Sequence, residues 1–290
     1  MAKFQALRTN PDKFSLSQLP YLLFVLPFAI VMILPLAYIF NHAFKPFDEL
    51  IEYPPRFFVA RPTFDNFIEL FRASSTTGIP VSRYLFNSIV ITILVVFLSI
   101  FLSSITGYAL SKMKFHINKV LSEINTIAMM FVGTAVIIPR YIITESFGLV
   151  DTFWVHIIPV IAVPIGLFLI KQFIDQIPNE LIEAAKIDGA NHFMIYLKII
   201  LPLIKPALAT IAILSFQAVW NNADISATYI NTDSLKTFAY YMSTLSSSSN
   251  QVVGIGMSAA ASLIMFLPNL IIFIFLQSKV MNTMAHSGIK

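Results

Sequence analysis

Histidine, cysteine and paired nucleophiles and bases are the residue types that most often carry catalytic or metal-binding chemistry. The five histidines are far apart in the sequence and lack the spacing of metal ligands. They are His42, His116, His156, His192 and His286. There is no cysteine, which excludes disulfides, thiolate metal sites and thiol catalysis. The sequence also lacks a recognisable nucleophile–base cluster, so it predicts no metal site and no enzyme.

A charged segment at residues 174–203 stands between two apolar runs. Asn179 is predicted to cap a first short helix, because its side chain can accept from the unpaired amides of the first turn. Gly189 is predicted to end that helix in a left-handed conformation. A second helix is predicted over residues 191–201. The segment therefore reads as two short helices with a glycine bend between them.

Small apolar faces and an excess of acids characterise these two helices. The predicted faces are Leu181, Ala184 and Ala185 in the first helix, and Phe193, Leu197 and Ile200 in the second. The acids are Asp175, Glu180, Glu183 and Asp188, against Lys186. One interpretation is an amphipathic helix that lies on lipid. The flat alanine patch with its acidic rim favours the other interpretation, a helix that docks in a groove of a protein partner.

The rest of the chain must hold this segment, and it is largely apolar. Hydrophobic residues make up 57% and charged residues 12%, about half the charged share of a soluble domain, and the mean hydropathy is +0.78. Six runs are long enough to cross a bilayer as helices. They are residues 19–44, 87–110, 123–144, 154–173, 204–223 and 256–278. The sequence predicts an all-α integral membrane protein with six transmembrane helices. The prolines inside these runs are predicted to kink the helices without breaking them. They are Pro27, Pro35, Pro159, Pro164 and Pro268.

Lysine and arginine in the short loops predict the orientation. With both termini in the cytoplasm, ten basic residues lie inside and six outside, and most of the outside ones share a long loop with balancing acids. Residues 1–18 then form a cytoplasmic segment, followed by one membrane domain over 19–290. The outer loops are 45–86, expected to fold with short helices, and 229–255, with a polar turn-rich tip. The net charge of +4 is dispersed, which excludes a nucleic-acid surface.

The charged segment carries a family resemblance. The pattern E-A-A-x-x-x-G-x9-I-x-L-P resembles the signature of membrane subunits of bacterial ABC importers. The matching residues are Glu183, Ala184, Ala185, Gly189, Ile199, Leu201 and Pro202. The longer form EAAKIDGAN is similar to the carbohydrate branch, of the maltose type. The stretch FQAVWNNAD at 216–224 is similar to the F-x-x-x-W-N pattern common in that branch. The tail MAHSGIK is similar to the tail of the smaller permease subunit of the maltose type.

The resemblance implies a division of labour among several chains. The segment at about 178–203 would be a coupling-helix pair that docks on a separate ATPase subunit. ATP and magnesium would be bound by that ATPase, since this chain has no G-x4-G-K-[ST] pattern and carries no cofactor of its own. The assembly would contain a second permease subunit, two ATPase subunits and an extracytoplasmic solute-binding protein. Its place would be the bacterial cytoplasmic membrane, which it would cross several times.

Two groups of polar residues are candidates for contact with a substrate or with the binding protein. Aromatic and hydrogen-bonding side chains, the combination that sugar sites use, cluster at Gln217, Trp220, Asn221, Asn222 and Asp224. The alternative is an interfacial tryptophan with polar residues emerging into water. By resemblance, the last outer loop would touch the binding protein with Ser246, Ser247, Ser248, Ser249, Asn250 and Gln251. The alternative there is a merely solvated loop.

Two isolated asparagines have simpler expected roles. Asn87, at the start of the second run, is predicted to cap it. Asn269, inside the sixth run, is predicted to form an interhelical hydrogen bond.

Two other functions remain open from the sequence. One is an importer of the same kind for a non-carbohydrate solute. The other is a secondary carrier, which would need intramembrane carboxylates that these runs lack.

Overall fold

The computed structural model describes residues 18–72, 78–131, 133–247 and 251–287, which form helices and loops without an extended strand. The helices are α1 (Leu19–Phe44), α2 (Phe47–Leu50), α3 (Asp65–Arg72), α4 (Val81–Lys112), α5 (Asn118–Met130), α6 (Ile137–Ser146), α7 (Pro164–Asp175), α8 (Asn179–Ile187), α9 (His192–Ile195), α10 (Leu201–Leu203), α11 (Lys205–Trp220), α12 (Asp224–Tyr229), α13 (Phe238–Ser247) and α14 (Gln251–Ser287). Short 3₁₀ turns lie at Gly133–Val136, Phe153–His156 and Asp233–Leu235, and a π-helical turn at Tyr196–Ile200 joins α9 to α10. The predicted all-helical class is confirmed.

Three of the described helices, α1, α4 and α14, are long and apolar enough to cross a membrane. A fourth span is formed if residues 192–203 and α11 are counted together, with a bend of 81° between them. Pro27 and Pro35 lie inside α1, and Pro268 lies inside α14. These three prolines are accommodated within continuous helices, as predicted.

The predicted third and fourth runs are not continuous helices. The helix α5 ends at Met130 and α6 begins only at Ile137, and α7 begins only at Pro164. The interpretation of Pro159 and Pro164 as kinks is therefore wrong. Proline lacks the N–H that would continue a helix and restricts the residue before it, so the chain from 157 to 163 forms turns. Val155 and His156, just before these turns, and Ile157, at their start, are almost fully buried, which shields the beginning of the non-helical backbone from lipid.

The helix α4 forms the centre of the bundle, where it packs against α7 and α11, and α11 in turn packs against α14. Glycines permit the close approach of α4 to α7 and of α7 to α11. A Cβ at Gly107 in α4 would stand 2.5 Å from Cγ2 of Ile170 in α7. One at Gly166 in α7 would stand 3.2 Å from Cγ1 of Ile211 in α11. Lipid provides no hydrophobic driving force for helix association, so membrane helices associate through the close van der Waals contact that such small residues permit.

Apolar side chains are buried mainly in two clusters, at opposite ends of α4. At its C-terminal end, called the α8 end here, Tyr108 packs with residues of α7, α8 and the π-helical turn. At its N-terminal end, called the α13 end, Tyr84 packs with Leu70, Phe238 and Tyr241. The exposed large apolar side chains are most numerous along α1, and others lie along α4, α5 and α14, which leaves these surfaces for lipid or for another subunit.

The described parts of the loop at 45–86 are folded and include the short helices α2 and α3, as predicted. Glu49, 7% exposed, accepts hydrogen bonds from the backbone N–H groups of Ala60 (3.0 Å) and Arg61 (2.9 Å). These donors, opposed by burial, hold the pKa of the Glu49 carboxyl below its usual value. The amide of Asn66 donates to the carbonyls of Ala43 (3.0 Å) and Lys45 (2.8 Å), which fixes α3 against the end of α1.

Candidate functional site

The first helix of the charged segment, α8, ends at a glycine in the left-handed region. Gly189 has φ +81°, and its N–H donates to the Lys186 carbonyl at 3.0 Å. The Ala190 N–H donates to the Ala185 carbonyl at 2.9 Å. These two bonds form a Schellman motif, which satisfies the last carbonyls of the helix. The predicted glycine bend is confirmed.

The second helical piece begins as the sequence predicts but continues differently. Asn191 caps α9, where its side-chain oxygen accepts from the Met194 N–H at 2.8 Å. The chain then widens into the π-helical turn, in which the Leu201 N–H reaches back to the Tyr196 carbonyl. Phe193 and Leu197 are 62% and 44% exposed, whereas Ile200 is fully buried. The prediction of one shared face for these three residues is therefore wrong, because the buried face is instead formed by Ile195, Tyr196 and Ile200.

The helix α8 divides the motif residues between two faces. Ala185 is buried together with Ile182 against the cluster at the α8 end of the bundle. Glu183 and Ala184 are exposed, as is Leu181. The predicted face of Leu181, Ala184 and Ala185 is therefore wrong, since Ala185 turns inward and the other two outward. The remaining motif residues continue the chain into α10: Ile199 and Leu201 are half-buried and Pro202 is exposed.

The C-terminal half of α4 holds the charged segment by hydrogen bonds. The Lys112 ammonium donates to the Ile177 carbonyl at 2.6 Å and to Oδ1 of Asn179 at 2.9 Å. The prediction that Asn179 caps α8 is therefore wrong. Its side chain binds Lys112, and the residue before α8 is Pro178. The further pairs are Ser104 with Tyr196 (2.7 Å), Tyr108 with His192 (3.1 Å) and Ser111 with Asp175 (2.5 Å). Any displacement of the segment must therefore act on α4.

Four large apolar side chains of the segment are exposed. Leu181, Ile187, Phe193 and Leu197 are 47%, 87%, 62% and 44% exposed. The exposed carboxylate of Glu183 lies on the same helix. Single exposed apolar side chains are ordinary on a protein surface, but several on one short segment suit a docking face for a partner.

The predicted pathway residues meet at the junction of α11 and α12, but in different roles. Trp220 is 4% exposed, stacks on Phe216 and donates its indole N–H to the Met265 carbonyl of α14 at 3.0 Å. Asn222 accepts from the Ile225 N–H at 3.0 Å and so begins α12. Asn221 pairs with Asn269 of α14. The exposed members of the group are Gln217, Asn221 and Asp224.

A junction at the α13 end was missed by sequence reasoning. The Asp151 carboxylate accepts from the backbone N–H groups of Asn231 (2.9 Å) and Thr232 (2.8 Å) and from the Thr232 hydroxyl (2.8 Å). These bonds, the Thr232 ones above all, hold the pKa of Asp151 below its usual value. The one signal in the sequence is Asp151 after Gly148, typical of turns.

The same loop is also held by α4. The Asn87 amide donates to the carbonyls of Ser234 (2.8 Å) and Lys236 (2.9 Å). Asn87 lies within α4, which begins at Val81, so the prediction that it caps the helix is wrong. The α4 helix therefore binds the loop before α13 at one end and the segment around α8 at the other.

The last predicted loop, at 229–255, is more helical than its composition suggests. Residues 238–247 form α13, and α14 starts at Gln251, before the predicted start of the sixth run. Of the residues proposed to touch a binding protein, Ser248, Ser249 and Asn250 lie outside the described residues, and the side chains of Ser246, Ser247 and Gln251 also do. Residues 1–17 likewise lie outside the described part of the chain.

The histidines with described contacts are dispersed. His42 contacts the Tyr38 carbonyl (3.0 Å), His156 that of Leu235 (3.2 Å), and His192 the Tyr108 hydroxyl. Within residues 18–72, 78–131, 133–247 and 251–287, no group of three or more His, Cys, Asp or Glu residues could hold a metal ion.

Comparison with protein families identifies the family to which this chain belongs. The family described as binding-protein-dependent transport system inner membrane component matches residues 14–278, most of the chain. The chain belongs to this family. Its members are permease subunits, so the segment around α8 and the helices that hold it are parts of a membrane transport component.

The similarity to curated relatives extends over much or nearly all of the chain. The polygalacturonan/rhamnogalacturonan transport system permease protein YtcP of Bacillus subtilis is 32% identical over 213 residues, 73% of this chain and 72% of YtcP. The arabinooligosaccharides transport system permease protein AraQ of the same organism is 27% identical over 98% of this chain and 99% of AraQ.

A solved structure shows the same fold. The crystal structure of a bacterial ABC transporter involved in the import of the acidic polysaccharide alginate contains a chain that superposes with a TM-score of 0.80, covering 92% of this chain and 98% of that chain. The sequences are 21% identical, so the likeness establishes the fold and not the substrate.

Proposed function

We propose that the chain is the transmembrane subunit of an ATP-driven importer of a sugar or oligosaccharide. In that role it forms half of the translocation pathway and couples it to separate ATPase subunits. Family membership and the polysaccharide and oligosaccharide permeases among its relatives support the proposal. The observation that carries the coupling role is the exposed face of α8, anchored from behind by α4.

The coupling mechanism follows from this arrangement. Glu183, Ala184 and the exposed apolar side chains of α8 and α9 enter a groove on the ATPase. When the ATPases close on ATP, that groove moves and carries α8 with it. Because Lys112, Tyr108 and Ser104 bind the segment, the movement acts on α4 and on the helices packed against it. ATP and magnesium remain on the ATPase, and this chain supplies no nucleotide site.

In the membrane, the chain crosses six times with both termini in the cytoplasm. The helices α1, α4, α11 and α14 account for four crossings. The broken stretches 118–146 and 153–175 account for the other two, and Val155, His156 and Ile157 are buried in the second of them. A helix of 12 residues such as α7 is about 18 Å long and needs the preceding turns to complete a crossing. The location is the bacterial cytoplasmic membrane.

The assembly contains a second permease subunit, a different chain, together with two ATPase subunits and an extracytoplasmic solute-binding protein. The exposed apolar surface of α1, with Phe24, Met32 and Phe40 more than half exposed, suits lipid or the second permease. The binding protein contacts the loop at 229–255, including its tip at residues 246–251. On the opposite side, α8 contacts the ATPase.

The pathway passes the junction of α11 and α12. Gln217, Asn221 and Asp224 present exposed hydrogen-bonding groups there, which suit a hydroxyl-rich solute. Trp220 and Asn222 support this surface from behind, through Met265 and Ile225. An importer of the same family for a non-carbohydrate solute would use the same coupling face but would need different groups at this junction.

The deciding experiment is co-purification of the tagged chain from its host in mild detergent. We expect an ATPase and a second permease to accompany the wild-type chain, and Glu183→Lys to lose or weaken the ATPase while the chain stays inserted. Glu145→Lys is the matched control, since it reverses an exposed acid outside the charged segment. It should retain the full set of partners.

Two results would contradict the proposal. If the chain purified alone and Glu183→Lys changed nothing, α8 would be a helix that lies on lipid. If the chain alone transported solute in liposomes without an ATPase, it would be a secondary carrier.

A further inference from the structure

An open cleft of about 1060 Å³ lies beside α8, between that helix and the loop that joins α4 to α5. Its charged lining is strongly unbalanced. Among the described residues that line it, four lysines face a single carboxylate, that of Glu183. The lysines are Lys112, Lys114, Lys119 and Lys186. A concave surface with this balance concentrates anions.

The walls of the cleft are built by specific hydrogen bonds. On one side, the Asn118 amide donates to the carbonyls of Leu110 (2.9 Å) and Met113 (3.0 Å) and so fixes the loop against the end of α4. On the other side, Lys112 binds the carbonyl of Ile177 and the side chain of Asn179. The cleft is therefore a defined feature of the fold.

Two helix N-termini add to its positive potential. The helix α5 follows Ile117 and α8 follows Pro178, and neither residue has a side chain that can cap. Asn118 and Asn179, the first residues of the two helices, both line the cleft. Uncapped N-terminal amides and the helix dipole favour a bound anion.

Apolar side chains continue from the cleft along α5. Phe115, Ile117, Val120 and Ile124 are 38%, 54%, 52% and 56% exposed. None of the residues of α5 is buried in the single chain. Basic and apolar side chains alternate from Lys112 to Ile117, and Lys119, ion-paired with Glu123 at 3.9 Å, follows among the apolar side chains of α5. This mixture is typical of a segment at the boundary between the headgroups and the acyl chains of a membrane.

We propose that this cleft is a binding site for an anionic phospholipid, with the phosphate among the lysines and the acyl chains against α5. A free phosphate would explain the lysines but would leave the apolar face of α5 uncovered. An acidic protein segment would face the same difficulty. The inference rests on the proposed orientation, which puts the cleft at the cytoplasmic surface. A lipid there would contact both α8 and the loop after α4.

The test measures lipid bound to the complex purified in detergent, by mass spectrometry after exchange into equal phosphatidylglycerol and phosphatidylcholine. The variant is Lys114→Gln with Lys119→Gln, two exposed lysines of the cleft. The matched control is Lys198→Gln with Lys205→Gln, two exposed lysines that do not line it. We expect phosphatidylglycerol to bind about 25-fold more weakly to the cleft variant, since each of the two lysines near an anionic headgroup contributes about fivefold. The control should bind as the wild type does.

Equal retention of phosphatidylglycerol by the cleft variant and the control would overturn the proposal. Displacement of the lipid by millimolar inorganic phosphate would also overturn it, in favour of a free-anion site. So would loss of the ATPase from the cleft variant with phosphatidylglycerol still bound, which would assign the cleft to the ATPase. Co-purification of the ATPase with the wild type is scored in the same samples, so failure of the coupling role is distinguished from failure of the lipid site.

Discussion

The side-chain amides of Asn221 and Asn269 exchange two hydrogen bonds, at 3.3 and 3.1 Å, and tie the end of α11 to the middle of α14. Trp220, one residue earlier, reinforces this tie by donating to the Met265 carbonyl at 3.0 Å. An amide inside an apolar helix is costly unless it is paired, and the amide of Asn269 within α14 is paired with Asn221 at the end of α11. The expectation of an interhelical bond for Asn269 is confirmed.

The asparagine pair should show a measurable coupling energy. In a double-mutant cycle of Asn221→Ala and Asn269→Ala, we expect a coupling of about 0.6 kcal/mol, the usual size for such bonds in membrane proteins. The measurement is reversible unfolding in mixed micelles. Strictly additive single effects would mean that the two amides do not support each other.

Gly189 should tolerate only residues that adopt the left-handed conformation. Its φ of +81° is strained for residues with a Cβ, although no atom lies within 4 Å of where that Cβ would be. Gly189→Ala should therefore destabilise the end of α8 by about 1 kcal/mol and lower transport-coupled ATPase activity, while Gly189→Asn should retain more of it.

The matched control for this position is Gly254→Ala. Gly254 also has open space around it but lies within α14 without a positive φ. The substitution Gly254→Ala should leave the stability unchanged or raise it slightly. Equal losses in Gly189→Ala and Gly254→Ala would remove conformational strain as the explanation.

Gly107 should be intolerant for a different reason, the contact between α4 and α7. Gly107→Ala places a methyl group 2.5 Å from Cγ2 of Ile170 and should destabilise the bundle by about 1–3 kcal/mol. The additional change Ile170→Ala removes that methyl and should restore part of the spacing between the helices. Thermal unfolding of the single and double variants measures both effects. If the double variant is less stable than the summed losses of the two single variants predict, the clash is not the cause.

The Asp151 junction should depend on pH. Its pKa in the fold lies below the ordinary value of 3.8, so the stability that its charge contributes is complete above that value and is lost as the pH falls through the folded pKa. Asp151→Asn keeps a residue that accepts φ +58° and removes the charge. Thermal stability should be lower in Asp151→Asn at neutral pH, and the difference from the wild type should close below pH 3.8. If the difference in thermal stability persisted below pH 3.8, it would come from the shape of the side chain and not from its charge.

Local signals in the sequence predicted the parts of the site that depend on local geometry. Gly189 ends α8 because few other residues adopt its conformation, and the second helical piece begins where it was predicted, although the capping role of Asn191 was not foreseen. Prolines inside α1 and α14 were accommodated because neighbouring turns continue the helix on both sides. These features are decided within a few residues.

Features decided by distant contacts were not predictable in this way. Asn179 has the composition of a cap, but Lys112 takes its side chain. The faces assigned to the segment assumed regular helices with 3.6 residues per turn, and the π-helical turn at Tyr196–Ile200 rotates Phe193 and Leu197 away from Ile200. Asp151 gave only a turn signal, because its partners lie about 80 residues later in the chain.

The helix α4 has a mechanical consequence. It spans 32 residues without a proline, so it is about 48 Å of unbroken helix. One end is bonded to the segment around α8 through Lys112, and the other to the loop before α13 through Asn87. Such a helix behaves as a stiff lever, because it can tilt more easily than it can bend. A tilt of about 10° about its midpoint would carry each tip roughly 4 Å, in opposite directions, estimated from a rise of 1.5 Å per residue. In the proposed coupling, a push on α8 would thereby become a displacement at the other end of α4.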